Sequence, residues 1–244
     1  MVETAPRPSK SEVVRSRLLE LIEEGEVGSA IPAERELAAE LGVSRMTLRG
    51  VVGQLVAAGL LTRRQGSGTY VARPKIDQSL TMTSFSRDMR QRGMVPGSRT
   101  LSFERTVAGA RTGRWLDLSP QEPIVCARRL RLADAEPMSV ETLHVPASLV
   151  PGLTAEDLDA HSFYELLADR YGILLREGTQ TIEPTVLDAE EAEVLEAPEH
   201  SPAFLFERVT RATDERAVEY VRSLYRGDRY RLVTKLHVPG RNGT

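Results

Sequence analysis

Two helical patterns separated by a three-residue turn constrain this chain more than any other feature. Leu37, Ala38 and Leu41 share one helical face, and Gly42 follows as the left-handed residue that a helix end favours. Ser44 is placed to cap the next helix, in which Leu48, Val52, Leu55 and Val56 face inward until Gly59 stops it. A turn as short as Gly42-Val43-Ser44 gives a helix-turn-helix. An earlier helix completes the group. Ser9 and Glu12 have capping-box spacing, and Val14, Leu18, Leu21 and Ile22 recur at i, i+4, i+7 and i+8. Gly25 and Gly28 end that helix, and Pro32 sits where the second begins.

Many helical hairpins never touch nucleic acid, so the exposed face of the third helix decides. Ser44, Arg45, Met46, Thr47 and Arg49 crowd its N-terminal end, the end that enters the major groove in this motif. Arg45 and Arg49 lie at i and i+4 and project from one face. An Arg can make paired hydrogen bonds to guanine O6 and N7. Residues 60–64 and 69–72 then read as short strands around Gln65-Gly66-Ser67-Gly68, a wing whose glycines let its tip approach DNA. Arg63 and Arg64 are suited to phosphates. The Gly-x-Gly makes a poor nucleotide loop, since no βαβ strand precedes it and no Lys-Ser/Thr follows. Charge agrees: the chain has 32 basic and 35 acidic residues. Yet residues 35–75 hold seven basic (Arg35, Arg45, Arg49, Arg63, Arg64, Arg73, Lys75) and two acidic ones (Glu36, Glu40). A local excess of five positive charges in an acidic protein suits a polyanion.

The run from Ile31-Pro32-Ala33-Glu34-Arg35-Glu36-Leu37-Ala38 through Leu41-Gly42-Val43-Ser44-Arg45-Met46-Thr47-Leu48-Arg49 to Arg64-Gln65-Gly66-Ser67-Gly68-Thr69-Tyr70-Val71 resembles the winged helix-turn-helix of GntR-type bacterial transcription regulators. The resemblance spans residues 10–72 without gaps. It implies DNA contacts at Arg35, Arg45 and Arg49, at Ser44 and Thr47, and from Gly66 in the minor groove. With neighbouring Glu34, Arg63, Arg64, Gln65 and Gly68, these form the candidate DNA surface. One departure is Gly50-Val51-Val52-Gly53, where the family usually has polar residues and Ala. Each helical glycine costs about 1 kcal/mol relative to Ala.

Residues 73–81, containing Arg73-Pro74-Lys75, read as a linker between domains at 1–72 and 82–244. In the second domain Ser84 can cap a helix ending near Gly93. Strands are expected at 99–107, 123–132, 138–145, 174–186, 203–213, 217–225 and 232–238, and helices at 110–116, 163–171 and 189–195. Asp134-Ala135 and Thr213-Asp214-Glu215 mark hairpin turns, which imply an antiparallel sheet and an α+β fold.

Little here suggests catalysis. His144, His161, His200 and His237 are unpaired at metal-ligand spacing, and there is no Gly-x-Ser-x-Gly. Cys126 alone excludes a disulfide framework and reads as a structural thiol in a strand; Trp115 reads as core. No catalytic residue, metal or cofactor is expected. Apolar runs fall far short of a membrane span and no signal pattern opens the chain, so a cytoplasmic protein is expected.

Thr83-Ser84-Phe85-Ser86, residues 127–142, Ser162-Phe163-Tyr164-Glu165-Leu166 and residues 218–230 are similar to the effector-binding UTRA domain of the HutC branch of the GntR family. That domain shares its fold with chorismate lyase, and the likeness is nearest to regulators of amino-sugar use. Asp134-Ala135 departs from the usual Asp/Asn-Gly. The resemblance implies an effector pocket formed by Phe85, Ser86, Arg129, Arg131, Glu141, Ser162, Tyr164, Glu219 and Tyr225. Independently, Arg129 and Arg131 alternate with Leu130, so both point to one face of a strand. Phe85 and Ser86 start a helix whose N-terminus favours an anion, and Ser162 and Tyr164 open another with hydroxyl donors; the alternative for Arg129 and Arg131 is a pair of structural salt bridges. The expectation is a homodimeric regulator, a repressor, that binds a near-palindromic double-stranded operator and answers to a phosphorylated sugar such as N-acetylglucosamine-6-phosphate or glucosamine-6-phosphate. The rivals are another small acid as effector, a lyase-like enzyme fused to a DNA-binding domain, and an architectural DNA binder without a ligand.

Overall fold

The computed structural model describes residues 9–64, 66–72 and 75–235, which form two compact units divided between Ile76 and Asp77. Gln65, Arg73, Pro74 and the expected strand end at 236–238 lie outside the described residues, as does the Arg64 side chain.

In the first unit α1 (Lys10–Glu24), α2 (Glu34–Glu40) and α3 (Arg45–Ala57) precede a hairpin of β1 (Leu61–Arg64) and β2 (Gly68–Val71). The local signals act as their chemistry requires. The Ser9 hydroxyl accepts the Glu12 N–H while the Glu12 carboxylate accepts the Ser9 N–H, closing the capping box. Gly42 takes φ +61° in the turn, a conformation that costs a side-chain-bearing residue strain. Helix α2 starts two residues later than Pro32 suggests, at Glu34, with Ala33 as an N-cap that offers no side chain. Val14, Leu18, Leu37, Ala38, Leu48, Val51, Val52, Leu55, Leu61 and Val71 form one core. The wing is anchored through its base: the Ile31 N–H donates to the Thr69 carbonyl and the Val71 N–H to that of Ser29, both at 2.9 Å.

The second unit contains β3 (Ile76–Ser79, starting at the boundary), α4 (Phe85–Gln91), β4 (Pro96–Val107), α5 (Gly109–Leu116), β5 (Pro123–Ala133) and β6 (Glu136–Pro146). There follow α6 (Ala155–Ala160), α7 (Phe163–Asp169), β7 (Leu175–Val186), α8 (Ala189–Val194), β8 (Pro202–Ala212), β9 (Ala217–Arg226) and β10 (Tyr230–Val233). Six strands make one antiparallel sheet in the order β4-β5-β6-β9-β8-β7. One face packs Val125, Ala127, Leu143, Val145 and Val221 against Leu158 of α6 and Phe163 and Leu167 of α7. The opposite face is covered at one end by Leu116 of α5 and at the other by Ala192 of α8 with Leu195 beyond it.

Three expectations need correction. Ile76–Ser79, read as linker, is a strand paired with β10, because Asp77 receives the Arg231 guanidinium and the Asp77 carbonyl receives Arg92 at 2.8 Å. Helix α6 was missed; it is only one and a half turns long and is held by a capping box at Thr154 and Asp157. Trp115 is not core: it is 43% exposed and stacks one face on Tyr220 at 5.7 Å.

Candidate nucleic-acid interface and anion pocket

Helix α3 presents its N-terminal end to solvent. The Ser44 hydroxyl accepts the Thr47 N–H at 3.1 Å and meets the Thr47 hydroxyl at 2.8 Å, so the cap that starts the helix also fixes two polar side chains on its outer end. Arg45 and Arg49 are exposed, as is Arg35 on α2. The sequence does not show what joins the three elements. The Glu34 carboxylate lies between Arg49 of α3, 3.3 Å from Nε, and Arg63 of β1, 3.0 Å from Nη2. These three line an open groove of about 920 Å³ with Pro32, Gly66, Ser67 and Gly68. Gly66 and Gly68 both hold φ in the left-handed region, at +72° and +125°.

In the second unit, strand register assembles a polar centre on the sheet face covered by α6 and α7. Arg129 of β5 lies opposite Glu141 of β6, which lies opposite Ser223 of β9. One step along, Arg131 faces Ser139, which faces Tyr225. Both arginines are only 3% exposed. Arg129 pairs directly with Glu141. Arg131 donates to the Ser98 and Ser86 hydroxyls at 3.0 and 3.1 Å and lies 4.8 Å over the Phe85 ring. From α7, the Tyr164 hydroxyl donates to Glu219 at 2.7 Å, and Thr210 donates to the same oxygen at 2.7 Å. Phe85, Arg129, Arg131, Glu141, Ser162, Tyr164 and Glu219 line one small cavity. An adjoining cleft adds Thr83, Gln180, Ser223 and Tyr225. Ser86 reaches this group through Arg131.

Arg208 is the residue that the sequence reading missed. It lines both spaces, 3.6 Å from Glu219 and 5.7 Å over the Tyr164 ring. Its signal was the alternation of Phe206, Arg208 and Thr210 along β8, which puts Arg208 on the pocket face. With it the cavity holds three guanidinium groups and two carboxylates, Glu141 and Glu219, a net charge of +1. Among the described residues, Arg129 Nε and Nη1, Arg131 Nε, Arg208 Nε and the Ser162 hydroxyl are buried without a hydrogen-bond partner. Native interiors rarely leave such atoms unmet, and several around one cavity define a place for an acceptor.

The protonation equilibria carry the same imprint. Burial, followed by the neighbouring Arg129 charge, lowers the Arg131 pKa from 12.5 to about 10. Burial alone would raise Glu141, but Arg129, Arg131 and Arg208 outweigh it and hold the carboxyl below its ordinary 4.5. Tyr225 is pushed up to about 12 by burial and then by Glu141. The helix starts contribute side chains more than dipoles: α4 and α7 are seven residues long, and Ser84 already caps α4 by accepting the Arg87 N–H at 3.2 Å. Cys126 is half-buried, and burial followed by Glu104 raises its pKa, the reverse of an activated thiolate.

Residues 10–71 match the family of bacterial regulatory proteins called gntR, and residues 91–231 match the UTRA domain. The chain is 36% identical over 204 residues to the HTH-type transcriptional repressor NagR of Bacillus subtilis (strain 168), covering 83% of this chain and 84% of that protein. The chain belongs to the GntR family. This GntR regulator is also 34% identical over 233 residues to the repressor PhnF of Mycolicibacterium smegmatis, covering 96% of this chain and 95% of that one. The PhnF crystal structure superposes with a TM-score of 0.65 at 33% identity, over 92% of this chain and 99% of the other. The mannosyl-D-glycerate transport/metabolism system repressor MngR of Escherichia coli (strain K12) is 30% identical over 224 residues, 90% of this chain and 92% of that protein. The GntR regulator is thus a DNA-binding transcriptional repressor of the HutC type, not an enzyme. No helix among its described residues is long and apolar enough to cross a membrane.

Proposed function

We propose that the second unit binds a phosphorylated sugar, with glucosamine-6-phosphate and N-acetylglucosamine-6-phosphate as first candidates, and that this ligand controls operator binding by a homodimer. The observation that carries the reading is the buried +1 cavity with its unpartnered guanidinium and hydroxyl atoms. A phosphate group supplies both the missing negative charge and several acceptors, and Arg matches its geometry with paired hydrogen bonds. The neighbouring cleft offers what a polyhydroxyl body needs: carboxylate acceptors at Glu141 and Glu219, and hydroxyl or amide groups at Thr83, Gln180, Ser223 and Tyr225. In this reading Phe85, Ser86, Arg129, Arg131, Ser162 and Tyr164 hold the anionic end. Gln78 and Thr81, at the start of the second unit, also line the cleft. A ligand there biases the chain that leads back to the DNA-binding unit, and it changes operator affinity by its preference between two states.

On the DNA side, Arg35, Arg45 and Arg49 read base edges, Ser44 and Thr47 fix register, and Glu34 positions Arg49. Arg63 and Arg64 meet phosphate, while Gln65, Gly66 and Gly68 carry the wing tip to the minor groove. One winged helix reads a short half-site, so a two-fold dimer on a near-palindrome supplies specificity. The test uses duplexes that the full-length protein selects from a random pool. Affinity is measured with each sugar phosphate, with unphosphorylated N-acetylglucosamine and with inorganic phosphate. Release by either sugar phosphate alone supports the reading. Equal potency of the unphosphorylated sugar removes the phosphate assignment, and silence with all four removes the named effectors.

A further inference from the structure

We propose that Met46 is a specificity-determining residue that reads the C5-methyl group of a thymine in the major groove. Met46 is 75% exposed, the most exposed large apolar side chain among the described residues, and it projects from the second residue of α3. The core side of that helix is Leu48, Val51, Val52 and Leu55. Directly opposite run Met46, Gly50 and Gly53 at i, i+4 and i+7. A Cβ at either glycine would meet no atom within 4 Å, so behind Met46 the outward ridge is bare. Among the described residues, Met46 is therefore the side chain that stands on the outward midline at the N-terminal end of α3, the end that enters the major groove in this motif.

Its neighbours are partly committed. The Ser44 and Thr47 hydroxyls bond each other at 2.8 Å, and Arg49 Nε is held by Glu34 at 3.3 Å. The thioether offers neither a useful donor nor a strong acceptor, so what it can recognise in the groove is apolar. On the major-groove edge of the four bases that means the thymine methyl, which cytosine lacks. Because Arg45 and Met46 are consecutive, the thymine lies beside the base pair that Arg45 contacts.

The experiment uses the full-length protein and the duplex it selects from a random pool, with each thymine replaced singly by deoxyuridine, a change that removes only the methyl. One half-site thymine is expected to weaken the parent about fourfold when demethylated, the worth of one methyl group taken out of water. Met46→Ala is expected to show a similar loss on the unmodified duplex, no further loss at that deoxyuridine, and an unchanged salt slope, because no phosphate contact is removed. Met46→Gln keeps the side-chain length and is expected to move the preference at that position toward adenine. The proposal is overturned if no thymine methyl matters, or if both variants sense its loss as the parent does.

Discussion

Replacing Arg131 by Met should make the unliganded repressor more stable while abolishing its response to a phosphorylated ligand. The guanidinium is buried next to Arg129, and burial followed by that neighbouring charge lowers its pKa from 12.5 to about 10, so holding the charge is costly. At about 1.4 kcal/mol per pH unit, the cost is about 3 kcal/mol. The folded form binds this proton less tightly than the unfolded chain. The cost is therefore complete below pH 10 and fades as pH rises from there toward 12.5. Against it stand the hydrogen bonds to Ser98 and Ser86, worth about 1 kcal/mol each, which the substitution removes. Met fills the stem of the arginine and keeps a sulfur near the Phe85 ring. The balance is a gain of about 1 kcal/mol, or roughly 2–4 °C for a domain of this size. The single tryptophan, Trp115, lies in the second unit, so its fluorescence during urea unfolding reports on that unit. A higher midpoint with ligand stabilisation lost is the expected pair. A midpoint lowered by the equivalent of 1 kcal/mol or more would refute the reasoning and make Arg131 a structural cation.

Ala135 holds φ +65° in the β5–β6 turn, so Ala135→Gly should raise the same urea midpoint by about 0.5–1 kcal/mol; no change would mean the turn is unstrained. Gly53→Ala has open space for its methyl and should slow amide exchange along α3 by up to about 1 kcal/mol of added protection, and faster exchange would contradict this. Glu34→Ala releases Arg49 and Arg63 from a shared carboxylate; binding to random duplex should tighten and its salt slope steepen by about one, whereas an unchanged slope would show that neither arginine gains a phosphate contact.

What the sequence by itself determined is concentrated in the first unit, and the reason is range. A capping box between Ser9 and Glu12, a cap between Ser44 and Thr47, and a left-handed Gly42 are interactions among residues no more than three positions apart. They act before any tertiary contact forms, and helical periodicity then names the core face. In the second unit alternation placed Arg129 and Arg131 on one face of a strand, and the family likeness supplied the other pocket residues. Neither could say how α5 lies on the sheet, which is why Trp115 reads as core although it is half-exposed and stacked on Tyr220. Tertiary structure decided the rest. The order β4-β5-β6-β9-β8-β7 carries Glu219 and Arg208 across from distant parts of the chain to Arg129 and Glu141. The fold of the first unit sets Glu34 between Arg49 and Arg63. Charges so far apart in the chain have no mutual energy worth reading until pairing register and burial bring them together out of water.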